Sequence, residues 1–97
     1  MKISEIQINP IKPNNGLVAF ASFTIDNSIY CNSVGIVTRP NGGYRLVYPS
    51  RKIANRNMNL FYSITKACGQ TISQAVIAKY EDVLKEIENG RYGSFNA

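Results

Sequence analysis

Closely spaced turn signals cut the first half of the chain into short segments, and this spacing narrows the folds open to it. Asn14-Asn15-Gly16 offers residues that tolerate the positive φ of a tight hairpin. Asp26-Asn27 supplies the next reversal, and Pro40-Asn41-Gly42-Gly43 another. Segments of about ten residues joined by such turns read as the strands of an antiparallel meander.

The segments themselves keep a strand rhythm. Residues 2–12 alternate imperfectly, with Ile6 and Ile8 on one parity and Ile3 and Ile11 on the other. A first strand with a bulge or bend is expected there, ended by Pro10 or Pro13. Leu17 to Ile25 alternates most cleanly, with Leu17, Ala19, Ala21, Phe23 and Ile25 on one face. Val18 and Phe20 make the other face apolar at its start, as in an inner strand covered on both sides. Ile29 to Thr38 sets Tyr30, Val34 and Ile36 against Ile29, Cys31 and Val37. A fourth strand, Tyr44 to Tyr48, is closed by Pro49, which fixes φ and brings no ladder N–H. A short fifth strand is expected over Asn59 to Ile64.

After Gly69 the period changes. Ile72, Val76, Tyr80, Val83, Leu84 and Ile87 recur at three and four residues, the signature of an amphipathic helix. Thr71 followed by Gln74 fits a capping box, and Gly90 fits the position just past the C-terminus. The expected fold is therefore α+β: an antiparallel sheet of four or five strands with one long C-terminal amphipathic helix packed on it, Tyr80 included in the core. A chain of 97 residues has room for one core. The domain is expected over residues 1–90, with 91–97 as a flexible tail lacking periodicity.

Between the fourth and fifth strands lies a basic stretch, Ser50-Arg51-Lys52-Ile53-Ala54-Asn55-Arg56-Asn57-Met58-Asn59, which reads as a strandless loop. The formal net charge is +5, and its layout matters more than its size. No acid stands between Asp26 and Glu81, whereas that interval holds Arg39, Arg45, Arg51, Lys52, Arg56, Lys66 and Lys79. A field of this kind attracts polyanions and speeds their encounter.

Catalysis has little to work with. The chain has no histidine, which removes the commonest general base and metal ligand and every Ser-His or Cys-His nucleophile. Cys31 and Cys68 are isolated, with no carboxylate beside them, and read as two reduced thiols rather than a metal site. Glu81, Asp82, Glu86 and Glu88 belong to the helix, where a pair such as Glu81 with Lys85 is ordinary surface chemistry. Gly42 and Gly43 precede a strand, so they form no phosphate-binding loop of the strand-to-helix kind. No enzyme, no cofactor and no metal are expected. Lys2 and Ile3 are followed by Ser4 and Glu5 rather than an apolar run, and a cytoplasmic protein is expected.

Nucleic acid suits the basic stretch better. Arg51, Lys52 and Arg56 offer charge for phosphates, with Lys66 further on. Asn55, Asn57 and Asn59 add donors and acceptors for sugars or base edges. Tyr44, Tyr48, Phe61 and Tyr62 flank the stretch. Exposed, they would stack on unpaired bases; buried, they are core, which a domain this small needs.

The chain resembles the SpoVG (septation protein) family. Ala19-Phe20-Ala21-Ser22-Phe23-Thr24-Ile25-Asp26 is similar to that family's "AxASxTxD" strand, followed by Val34 and Ile36. Asn41-Gly42-Gly43 resembles its turn, and Pro49-Ser50-Arg51-Lys52 its "PS" with two basic residues. Ile64, Ile72, Ala75-Val76 and Tyr80 match the pattern running into its helix. The match covers roughly residues 2 to 84. The resemblance implies a cytoplasmic homodimer that binds DNA, and also RNA, and regulates transcription in septation, cell division or sporulation. It also implies that Arg51 and Lys52 contact nucleic acid. A further family arginine, just before the helix, aligns here with Gly69; Lys66 would replace its charge but not its geometry. Pairing of two copies would also cover open sheet edges. The rival expectation is a protein-interaction module that docks a sheet edge or the acidic helix face on a division or regulatory partner.

Overall fold

The computed structural model describes residues 1–89. The expected flexible tail, and Gly90 as the residue past the helix, lie outside the described residues. The order of elements is β1 (Ile3–Asn14), β2 (Leu17–Ile25), β3 (Ile29–Thr38), β4 (Tyr44–Val47), β5 (Ser50–Ile53), β6 (Arg56–Asn59) and α1 (Lys66–Glu88). Strands β1 to β4 form one antiparallel sheet in sequence order, and β5 with β6 forms a separate two-stranded sheet. The fold is α+β.

Each hairpin of the main sheet follows from its turn. Asn14 pairs with Leu17 across Asn15 and Gly16, whose φ angles are 52° and 89°. Asparagine and glycine bear such angles at low cost, and the turn's twist matches the flanking strands. Asp26 and Asn27 reverse the chain at φ of 50° and 55°. The Asp26 carboxylate also accepts the Lys2 amide at 2.6 Å, fastening the start of β1 to this turn.

Two bulges correct the parity of the strands. In β1 the register shifts between Ser4 and Gln7, with Glu5 at φ 51°. The extra residue brings Ile3 back into line with Ile6 and Ile8, so all three pack against the core. In β3 the shift falls opposite Ser22, with Ser33 at φ 64°. Cys31 thereby joins Val34 and Ile36 inside, and Tyr30 is turned out, contrary to the strict alternation expected for this strand. β1 also runs through Pro10 and Pro13 to Asn14. As an edge strand it can carry prolines, because an outward-facing position needs no ladder N–H.

Helix α1 crosses one face of the sheet, touching β1 and β4. Ile72, Val76 and Tyr80 are buried along it against Ala19, Ala21, Phe23, Val34 and Ile36, and Val83 is buried one turn further on. Tyr80 meets Tyr44 edge-on, with ring centroids 5.0 Å apart. Burial, with Tyr44 beside it, pushes the Tyr80 phenol up to about 12. The helix begins earlier than the Thr71 capping box predicts. Thr65 is the N-cap, its hydroxyl accepting the Cys68 amide at 3.1 Å, while Thr71 donates to the Ala67 carbonyl inside the helix. The fifth main-sheet strand expected over Asn59 to Ile64 is absent; bends connect β6 to the helix there.

Candidate nucleic-acid interface

The basic stretch is a β-hairpin rather than a strandless loop. β4 ends at Val47, one residue short of the expected Tyr48; the Leu60 amide donates to the Pro49 carbonyl at 2.8 Å, and the chain between them folds back on itself. Ser50 pairs with Asn59, Arg51 with Met58, Lys52 with Asn57 and Ile53 with Arg56. The turn is Ala54-Asn55, with Ala54 at φ 56°. A glycine-free turn with a charged residue in each arm hid the hairpin; the two-residue gap between Ile53 and Arg56 was the signal that could have found it. Every residue from Ser50 to Asn59 is exposed, and the hairpin's substantial contacts are confined to its own two strands.

The register divides the side chains between two faces, because directly paired residues point the same way. One face carries Ser50, Lys52, Asn57 and Asn59. The other carries Arg51, Ile53, Arg56 and Met58, with Ile53 and Met58 about half exposed. Arg51 and Lys52, adjacent in sequence, therefore look in opposite directions. Arg51 instead shares its face with Arg56.

Lys66 is not part of this ribbon. It opens α1 and lines an open cleft of about 540 Å³ with Arg39, Thr65, Gln70 and Ser73. Gly69 lines the same cleft, within the first turns of the helix. A Cβ built at Gly69 would stand 2.9 Å from Ser63 Oγ, so the helix and the preceding segment approach closely there. The space that a side chain would take at this position is occupied by Ser63.

Of the flanking aromatics, Tyr44, Tyr48 and Phe61 are half-buried, with Tyr48 and Phe61 edge-on at 5.7 Å. Tyr62 is exposed. Burial raises the Tyr48 phenol. Its hydroxyl has no partner at hydrogen-bonding geometry, although Ser63 lies near enough to temper that rise. Tyr30, Cys31, Phe61, Tyr62 and Cys68 surround an apolar cleft of about 250 Å³ beside the N-terminal half of β3. Both cysteines are free, and burial pushes the Cys31 thiol up. No helix among the described residues is long and apolar enough to cross a membrane.

The SpoVG family model matches residues 1–82. Relatives carrying the name "Putative septation protein SpoVG" come from several bacteria. That of Treponema denticola is 30% identical over 82 residues, covering 84% of this chain and 87% of the relative. That of Finegoldia magna is 31% identical over 83 residues, covering 84% and 76%. The Clostridium acetobutylicum relative is 28% identical over 89 residues, covering 91% and 93%.

Proposed function

The chain belongs to the SpoVG family, and from that premise we propose that it is a nucleic-acid-binding regulatory protein, not an enzyme, acting as a cytoplasmic homodimer. The binding element is the hairpin β5–β6. The observation that carries this reading is a fully exposed ribbon holding Arg51, Lys52 and Arg56 inside a sequence interval free of acids. Cations placed this way meet phosphates without an internal competitor, and their contacts release counterions. Lys66, with Arg39, forms a second basic position at the start of α1. The name borne by the relatives refers to septation, and the role proposed here is transcriptional regulation in septation or sporulation.

A second copy has a place to bind. β4 pairs with β3 only over Gly35–Thr38, and no strand among the described residues covers that side of β3 from Ile29 to Val34. Ile29 and Tyr30 are exposed at this uncovered edge. Open apolar edges invite pairing.

Arg51→Ala combined with Lys52→Ala leaves the fold intact and weakens binding to DNA or RNA about tenfold or more at about 50 mM salt. Titration of wild type and variant by gel shift measures this, and equal affinities would remove the hairpin from the interface. The second reading, a protein-interaction module, draws on the exposed Leu60, Tyr62 and Ile64 between β6 and α1. Salt separates the two. Polyanion binding collapses as salt rises, whereas apolar docking persists.

A further inference from the structure

The two faces of the hairpin differ in what they can recognise. Ser50, Lys52, Asn57 and Asn59 all carry hydrogen-bonding tips and no apolar end. Asparagine matches the N6 and N7 edge of adenine, lysine the O6 and N7 edge of guanine, and serine accepts either. The opposite face mixes Arg51 and Arg56 with Ile53 and Met58, and offers charge and apolar surface but no amide.

We propose that the hairpin is a reading ribbon, whose Ser50, Lys52, Asn57 and Asn59 face lies against base edges in the major groove of duplex DNA. This rests on the nucleic-acid reading above and adds which surface selects sequence. A groove about 12 Å wide admits a two-stranded ribbon, and this one stands clear of the main sheet with every side chain exposed. Along each strand, residues on one face are about 6.8 Å apart, which is close to two base-pair steps. With the ribbon along the groove, the row of Lys52 and Asn57 and the row of Ser50 and Asn59 read an element of about three or four base pairs. Arg51 and Arg56 lie on the face turned out of the groove, and their long side chains bend back past the ribbon's edges to the flanking phosphates rather than to bases. Duplex RNA is excluded from this mode, because the A-form major groove is too deep and narrow for side chains to read.

The test is selection from a random duplex DNA pool by the full chain, run beside Asn57→Ala/Asn59→Ala and Arg51→Ala/Arg56→Ala. Circular dichroism confirms that both variants fold. Wild type enriches a short motif and discriminates against single changes in it by about tenfold. The asparagine variant binds duplex with an unchanged salt slope but loses the motif positions read by the two amides, keeping at most those read by Lys52 and Ser50. The arginine variant keeps the motif, binds more weakly and shows a slope reduced by about one per lost contact. The same motif from the asparagine variant would overturn the proposal. Duplex binding without any motif from wild type would also overturn it, leaving non-specific binding by the hairpin standing. Equal recognition of the motif as duplex RNA would count against the groove assignment. Failure of wild type to bind any nucleic acid at low salt would remove the parent reading with it.

Discussion

Gly69 sits where α1 has no room for a side chain. Ser63 Oγ occupies the space a side chain at 69 would need, at 2.9 Å from an added Cβ. Two opposing effects meet at this position. Alanine in place of glycine inside a helix gains about 1 kcal/mol in propensity, but here it must push the serine hydroxyl aside. Gly69→Ala is therefore expected to be close to neutral in the wild-type background. In a Ser63→Ala background, where the hydroxyl is gone and the serine Cβ stands 3.8 Å away, the same change stabilises by about 1 kcal/mol. Urea unfolding of the four proteins in this cycle measures the difference; equal effects in both backgrounds would mean that Ser63 exerts no steric control. Arg51 and Lys52 carry a comparable lesson. Their adjacency reads as one cluster, yet strand geometry sends them to opposite faces, and only pairing with β6 makes that visible.

Helix α1 and the hairpin show what local pattern can and cannot declare. The helix's buried stripe was legible, because Ile72, Val76, Tyr80 and Val83 repeat at the spacing that one face of a helix imposes. Its start was not, since two threonines compete for the cap and Gly69 between them looks like a break. The Thr65 hydroxyl caps the Cys68 amide, whereas Thr71 bonds back to the Ala67 carbonyl within the helix. Thr65→Ala is accordingly expected to cost about 1 kcal/mol, while Thr71→Ala changes stability little, because back-bonding of this kind does not support the helix. Thermal unfolding of both variants decides between the two caps, and a larger loss at Thr71 would restore the later start. The turns of the main sheet were legible through Asn15, Gly16, Asp26 and Asn27, whose side chains or lack of them suit positive φ. The β5–β6 hairpin was not, because none of its residues is buried in the core. Without a core-facing side, its arms leave no alternation of apolar and polar residues to read.

The molecule divides into a buried core and a fully exposed ribbon, and the two should respond separately to conditions. Tyr80 is only 4% exposed, on the buried face of α1 and against Tyr44, and its phenol is pushed up to about 12 by burial first and by Tyr44 second. In the unfolded chain the same phenol titrates near 10. Between these values the unfolded state loses its proton while the folded state keeps it. The folded state then binds more protons, so stability falls as pH rises through this window and is undiminished by this group below about 10. A shift of this size corresponds to about 2 to 3 kcal/mol. Tyr48 and Cys31, also raised by burial, add to the alkaline loss in the same direction. Urea midpoints at about pH 9 and about pH 11.5 should therefore drop steeply for wild type and less for Tyr80→Phe, which keeps the ring packing and removes the titrating hydroxyl. Arg51→Ala/Lys52→Ala, altering only exposed ribbon residues, should follow the wild-type drop. Equal drops for wild type and Tyr80→Phe would place the alkaline weakness elsewhere. A ribbon variant that changed the drop would show that the hairpin is coupled to the core after all.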